Sequence, residues 1–205
     1  MASPTITLVT VTPNPSVLGQ SVTLSATVTA NPPATGTPTG TVTFTVTGPG
    51  GTVTGSGTLS GGVATFTTSA LDANDIAYTV TAVYNPDTAT FLTSTGTDTH
   101  TVNRADAEIA ITVIPNPATA GETVSYIAFV EAVPPGAGVP TGTVATAIDK
   151  DGNTIYGTQV ALDDNGFTLL TTNFSAGEYT VYSQYEGDNN FNQSPFDTVI
   201  HTINP

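Results

Sequence analysis

Pro38-Thr39-Gly40-Thr41-Val42 returns as Pro140-Thr141-Gly142-Thr143-Val144, 102 positions later. At the same interval Pro13-Asn14-Pro15 meets Pro115-Asn116-Pro117, Gly19 meets Gly121, Val22 meets Val124, and Pro32-Pro33 meets Pro134-Pro135. The interval then drifts slightly. Tyr78-Thr79-Val80 becomes Tyr179-Thr180-Val181, Tyr84 becomes Tyr185, Phe91 becomes Phe191, and His100-Thr101-Val102-Asn103 becomes His201-Thr202-Ile203-Asn204. So many matches in one order mean a duplication. Its boundary near Asn103-Arg104 predicts two domains, 1–103 and 104–205.

Within each copy the apolar residues alternate with Thr and Ser. Val22, Leu24, Ala26 and Val28 share a face, as do Val42, Phe44 and Val46, and Tyr78, Val80, Ala82 and Tyr84. A period of two marks strands with one buried face. In copy one the runs lie near Thr5–Thr12, Ser21–Ala30, Gly40–Thr47, Thr52–Ser60, Val63–Thr68, Ala77–Tyr84 and Thr97–Val102. About seven strands in about 100 residues is the signature of an immunoglobulin-like sandwich, so the chain reads as all-β, two such sandwiches in tandem. Tyr78 and Tyr179 open the sixth strand of their copies, where a tyrosine corner would turn a phenol back onto upstream backbone. With no Cys and no Trp, no disulfide pins either core, which must rest on Val, Leu, Phe and Tyr.

Sixteen acidic against two basic residues leave a net charge of −14. Nucleic acid and anionic membrane surfaces are excluded as partners, because neutralising phosphates takes Lys and Arg. No apolar run approaches the roughly 20 residues that span a bilayer, so no membrane insertion is expected. Met1-Ala2-Ser3-Pro4-Thr5-Ile6 lacks the basic and apolar regions of a secretory leader.

Pro-Thr-Gly-Thr-Val in both copies, together with Tyr185-Glu186-Gly187-Asp188-Asn189-Asn190-Phe191, resembles the bacterial Ig-like domain repeats. Copy one departs from that pattern at Asn85-Pro86-Asp87. The resemblance implies the fold and a place in bacterial surface proteins or on phage virions, where such domains act as spacers, adhesive tips or decorations.

Candidate chemistry is sparse. His100 and His201 are the only imidazoles; they hold equivalent positions, read as strand-surface residues, and lie too far apart to share one site. Triads and zinc sites therefore lack material. An intramolecular Lys–Asn cross-link has no Lys in copy one and only Lys150 in copy two, read as part of an exposed hairpin turn. Calcium is the metal for which oxygen ligands exist: Asp149, Asp151 and Asn153 follow the spacing of a calcium loop without its twelfth-position Glu, and Glu186 and Asp188 would join Asp106 near the domain junction. Turn chemistry also accounts for these clusters and for Asp163-Asp164-Asn165-Gly166, read as a type I′ hairpin. No other cofactor is expected.

The copies are unequal. Copy one carries a net −4 and five aromatic residues, copy two −10 and ten. Tyr126, Tyr156, Tyr182 and Phe196 have no aromatic counterparts in copy one and are the candidates for contact with a partner protein or a host glycan. The junction, Thr101-Val102-Asn103-Arg104-Ala105-Asp106, has no Gly, Ser or Pro, which predicts a semi-rigid connection. Three functional readings follow, none of them enzymatic. The first is a structural protein displayed on a large assembly, a phage capsid or tail decoration, which assumes a chain complete as it stands. The second is a segment of a bacterial cell-surface adhesin or stalk. The third is a carbohydrate-binding module, which requires the copy-two tyrosines to form an exposed platform.

Overall fold

A segment that alternates apolar side chains with Thr buries its apolar half best as a strand with one face on a core. The computed structural model, which describes all 205 residues, adopts that solution in sixteen strands and contains no helix. The chain divides into two units, Met1–Asn103 and Arg104–Pro205.

Unit 1 comprises β1 (Thr5–Thr12), β2 (Ser16–Val17), β3 (Val22–Ala30), β4 (Gly40–Gly48), β5 (Gly51–Thr58), β6 (Val63–Thr68), β7 (Asn74–Pro86) and β8 (Ser94–Asn103). A three-stranded sheet in the order β1-β3-β6 faces a five-stranded sheet in the order β2-β8-β7-β4-β5. Unit 2 repeats the plan with β9 (Ala107–Ile114), β10 (Ala118–Thr119), β11 (Val124–Ala132), β12 (Thr143–Lys150), β13 (Asn153–Ala161), β14 (Phe167–Thr172), β15 (Gly177–Tyr185) and β16 (Asp197–Asn204). Its sheets run β14-β11-β9 and β10-β16-β15-β12-β13. Each unit is an all-β, immunoglobulin-like sandwich. In unit 1 the core lies between the sheets on Leu24, Ala26, Val42, Phe44, Val46, Val80, Ala82 and Tyr84, the inward parities of their strands.

Eight strands stand where seven are expected. The extra one is two residues long in each unit, too short for alternation to reveal. It exists because the first strand changes sheets at Pro-Asn-Pro. β1 pairs antiparallel with β3 up to Thr12, and β2 then pairs parallel with β8, Ser16 opposite Val102. Proline has no N–H to give a ladder, so the two prolines end the first pairing. The Asn between them replaces the lost bonds with its side-chain amide. Asn14 Nδ2 donates to the Thr99 carbonyl at 2.7 Å, and Asn14 Oδ1 accepts from the Thr101 N–H at 3.3 Å. Asn116 does the same in unit 2, to the Ile200 carbonyl at 2.8 Å and from the Thr202 N–H at 3.1 Å.

Pro-Thr-Gly-Thr-Val opens β4 and β12. Gly40, at φ 122°, faces the β7 backbone so closely that a Cβ would stand 2.3 Å from the Asn85 carbonyl oxygen. Only glycine fits there. Thr39 beside it donates to Asp87 Oδ1 at 2.8 Å, and its carbonyl accepts the Tyr84 hydroxyl at 2.7 Å.

Candidate functional site

His100 and His201 are both fully buried, at 1% and 0% exposure, which corrects their reading as surface residues. Each stands on the last strand opposite a tyrosine of the strand before it, His100 facing Tyr78 of β7 and His201 facing Tyr179 of β15. That parity points into the core. His100 Nε2 lies 3.0 Å from Ser16 Oγ, and Nδ1 lies 3.3 Å from Asn14 Oδ1. In unit 2, Ala118 occupies the place of Ser16. His201 Nδ1 instead hydrogen-bonds the Tyr126 hydroxyl at 2.9 Å, and its Nε2 is buried without a partner. Burial pushes both imidazoles below the usual histidine value; for His100, Asp98 opposes the shift. Neither ring is open to a substrate.

The Tyr78 hydroxyl donates to the Asp72 carbonyl at 2.9 Å, and the Tyr179 hydroxyl to the Ser175 carbonyl at 2.8 Å. Both phenols thus turn back onto backbone a few residues upstream. Lys150 is not a free turn residue. It ends β12, half-buried, with Nζ donating to the Ala176 carbonyl at 3.1 Å and standing 5.1 Å from the Tyr179 ring centroid, a cation–π contact. The turn beyond it is Asp151-Gly152, both at positive φ, 55° and 77°, as a two-residue type I′ hairpin requires. Asp163–Gly166 is a different turn from the one expected. Only Gly166 has positive φ, its N–H donates to the Asp163 carbonyl, and Asp163 Oδ1 accepts from the Asn165 and Phe167 N–H groups. Those bonds hold the Asp163 carboxyl below the usual carboxylate value. This turn joins strands of opposite sheets, which a type I′ hairpin cannot do.

The calcium candidates do not converge, for no three His, Cys, Asp or Glu side chains group so as to hold a metal ion. Asp188 is committed elsewhere. Its Oδ2 accepts from the Thr141 N–H at 3.0 Å and hydroxyl at 2.6 Å, and its Oδ1 from the Asn190 and Phe191 N–H groups, both at 2.7 Å. Burial pushes that carboxyl up, but the four hydrogen bonds outweigh it and hold the group below its ordinary value. Asp106 Oδ1 accepts from Asn192 Nδ2 at 2.8 Å, and Glu186 is exposed on its own. Of the first trio, Asn153 donates to the Asp151 carbonyl at 3.2 Å.

The four aromatic partner candidates separate by strand parity. Tyr126 is 3% exposed, in the core with Val124, Ile148, Tyr179 and Ile203; burial raises its hydroxyl to about 12. Tyr156 pairs with inward-facing Ile148, packs against the same core, and meets Phe174 edge-on at 6.3 Å. Both lie on inward parities of their strands, Tyr126 buried and Tyr156 half-buried. Tyr182 and Phe196 do come together. They flank a shallow, uncharged groove of about 440 Å3 on the outer face of the five-stranded sheet, floored by Ala145, Ala147 and Gly157 and edged by Thr158 and Gln159. Phe196 is 65% exposed. The corresponding floor and wall in unit 1 are Thr43, Thr45 and Thr81.

The opposite outer face of unit 2 holds Phe129, an aromatic without a counterpart in copy one, and Ile127, Phe167 and Leu169, which the sequence reading passed over. Ile127 and Phe129 alternate with buried Tyr126, Ala128 and Val130, so they point to solvent, and β14 sets Leu169 and Phe167 directly opposite them. The signal was there: apolar residues on the wrong parity of a strand whose inward face was already complete.

Two facing sheets per unit, a tyrosine hydroxyl turned back onto backbone a few residues upstream in each, and no converging nucleophile, base or metal ligands define a tandem immunoglobulin-like sandwich protein. Family comparison agrees: residues 9–103 and 111–204 match the model described as bacterial Ig-like domain (group 3). The chain belongs to that family. No curated protein matches it. Among solved structures, a tetra-tandem repeat in the extending region of a large adhesion protein is 20% identical, with a TM-score of 0.51 over 99% of this chain and 50% of that one. The chain thus spans half the length of that relative. A two-domain fibronectin type-III segment from chicken tenascin is 14% identical, covering 95% and 97% of the two chains at a TM-score of 0.42. A 1.5-MDa bacterial ice-binding adhesin is 17% identical, covering 100% and 66% at 0.38.

Proposed function

We propose that the chain is a non-catalytic extension module, a pair of Ig-like repeats that spaces or displays binding surfaces within a large bacterial surface protein. The observation that carries this reading is the use of both imidazoles, the one lysine and the Asp188 carboxylate by the sandwich itself. Both imidazoles are buried, the Lys150 amine caps backbone, and the Asp188 carboxylate clamps two loops. The family and the extending-region repeats of an adhesion protein support the surface setting. The test is to locate the native gene product with an antibody raised against this chain. Labelling of intact cells, lost on mild external proteolysis, is the expected result. Labelling confined to purified phage particles would replace the adhesin reading with virion display.

The groove between Tyr182 and Phe196 favours an uncharged ligand, and a glycan is the candidate. Aromatic faces pack on the apolar face of a sugar ring while Gln159, on the outward parity of β13, offers hydrogen bonds. A glycan array probed with the chain should give signals that Tyr182→Ala and Phe196→Ala both remove; an array without signal would leave unit 2 a spacer.

A further inference from the structure

We propose that the outer face of the β9-β11-β14 sheet docks a protein partner whose surface pairs an apolar strip with Lys or Arg at one end. Phe129 stands opposite Phe167, their ring centroids 4.6 Å apart, and Ile127 stands opposite Leu169. Phe167 and Leu169 remain 43% and 58% exposed. Beside them runs a groove of about 430 Å3 lined by Ile127, Val160, Ala161, Asp163, Phe167, Thr168 and Leu169. None of the four apolar side chains is needed by the core, which the other parity of the same strands fills. Unit 1 is a control for the central strand: where unit 2 has Ile127, Phe129 and Leu169, unit 1 has Ser25, Thr27 and Thr65 in the same register, so its exposed Leu8 and Val63 stand on either side of Thr27 without an apolar side chain to join them. A contiguous apolar face on a soluble sandwich marks an interaction surface.

Charge selects the occupant. One pleat beyond Phe129, Glu131 stands directly opposite Glu108, both exposed. Like charges facing each other across strands destabilise a sheet, so this pair does nothing for the fold, and a cation set over it would relieve the repulsion. Asp163 lies at the same end, in the turn before Phe167, and β9, β11 and β14 carry no Lys or Arg. The face is therefore apolar with an acidic end. A second copy, itself at −14, would oppose acid to acid, and an anionic lipid surface would be repelled.

The probe is a short peptide alternating leucine with lysine, titrated into the full chain at low salt and read by backbone amide shifts. A leucine–glutamate counterpart, phosphatidylglycerol vesicles and sedimentation of the chain alone run alongside. Shifts should concentrate on β9, β11 and β14. The charge-neutral variant Ile127→Ser/Phe129→Thr/Leu169→Thr, which installs unit 1's residues, should weaken binding at least about tenfold while keeping the dispersed amide spectrum. Glu108→Gln/Glu131→Gln should weaken binding of the lysine peptide and flatten its salt dependence. Equal binding by the triple variant would show mere attraction to net charge and overturn the proposal. Binding to the vesicles, or a concentration-dependent dimer lost in the triple variant, would overturn it in favour of lipid or a second copy.

Discussion

His100 and His201 began as copies of one residue and now differ by the atoms around them. His100 has an acceptor at each ring nitrogen, Ser16 Oγ and Asn14 Oδ1, whereas His201 has Tyr126 at one and nothing at the other. Both take up protons less readily folded than unfolded, so folding stability rises with pH in this range. It is fully present above the unfolded value of 6.5 and drains away as pH falls toward each lowered folded value. The slope reaches at most about 1.4 kcal/mol per pH unit for one proton. Urea unfolding of the full chain between pH 7.5 and 5, followed by amide signals from each unit, should show unit 2 losing stability more steeply. An imidazolium at His100 finds two acceptors, while at His201 one N–H stays bare. Ala118→Ser puts a hydroxyl where Ser16 sits and should raise unit 2 stability by about 1 kcal/mol, the net worth of one hydrogen bond. An unchanged unfolding midpoint would show that Nε2 is satisfied by some other means.

At the scale of elements, loops and strand ends are tied by side chains that imitate backbone. Asp188 binds the start of β12 to the loop after β15 through four hydrogen bonds; its counterpart Asp87 accepts one, from Thr39. Asp188→Ala should therefore cost about 2–4 kcal/mol and Asp87→Ala about 1 kcal/mol, since charged acceptors leave costly orphans when removed. Denaturant midpoints measure both. The Asp188 contribution is present above the ordinary carboxylate value of 3.8 and is lost as pH falls below it. Asn116→Ala removes the amide that bridges Ile200 and Thr202 and should loosen β10 from β16, seen as faster amide exchange at Ala120, whose N–H donates to the Asn204 carbonyl.

At the scale of the molecule, the two units share one topology and differ in what they show to solvent. Unit 1 lines the central strand of its three-stranded sheet with Thr and Ser between the exposed Leu8 and Val63; unit 2 places Ile127 and Phe129 on that strand against Leu169 and Phe167, and carries most of the negative charge. In neither unit do three His, Cys, Asp or Glu side chains group so as to hold a metal ion, so a chelator should leave calorimetric melting unchanged. A fall in melting temperature with chelator, restored by calcium, would be the contrary result.

The repeat and the period-two alternation were enough to specify strands and an Ig-like sandwich, because burying one face of an alternating strand is a local demand that each segment states for itself. Inward positions such as Val22, Leu24, Phe44 and Val80 are read directly off that period. The two-residue strands Ser16–Val17 and Ala118–Thr119 escaped it because they are shorter than one alternation. The functional residues were harder to read. His100 and His201 look polar and therefore exposed, and Tyr126 and Tyr156 look like surplus aromatics, yet pairing register turns all four inward. Ile127, Phe129, Phe167 and Leu169 look like core and face water. Residue type states what a side chain prefers; only the register between strands and the packing of two sheets decides which preferences are met, and the ones left unmet mark where this protein meets another.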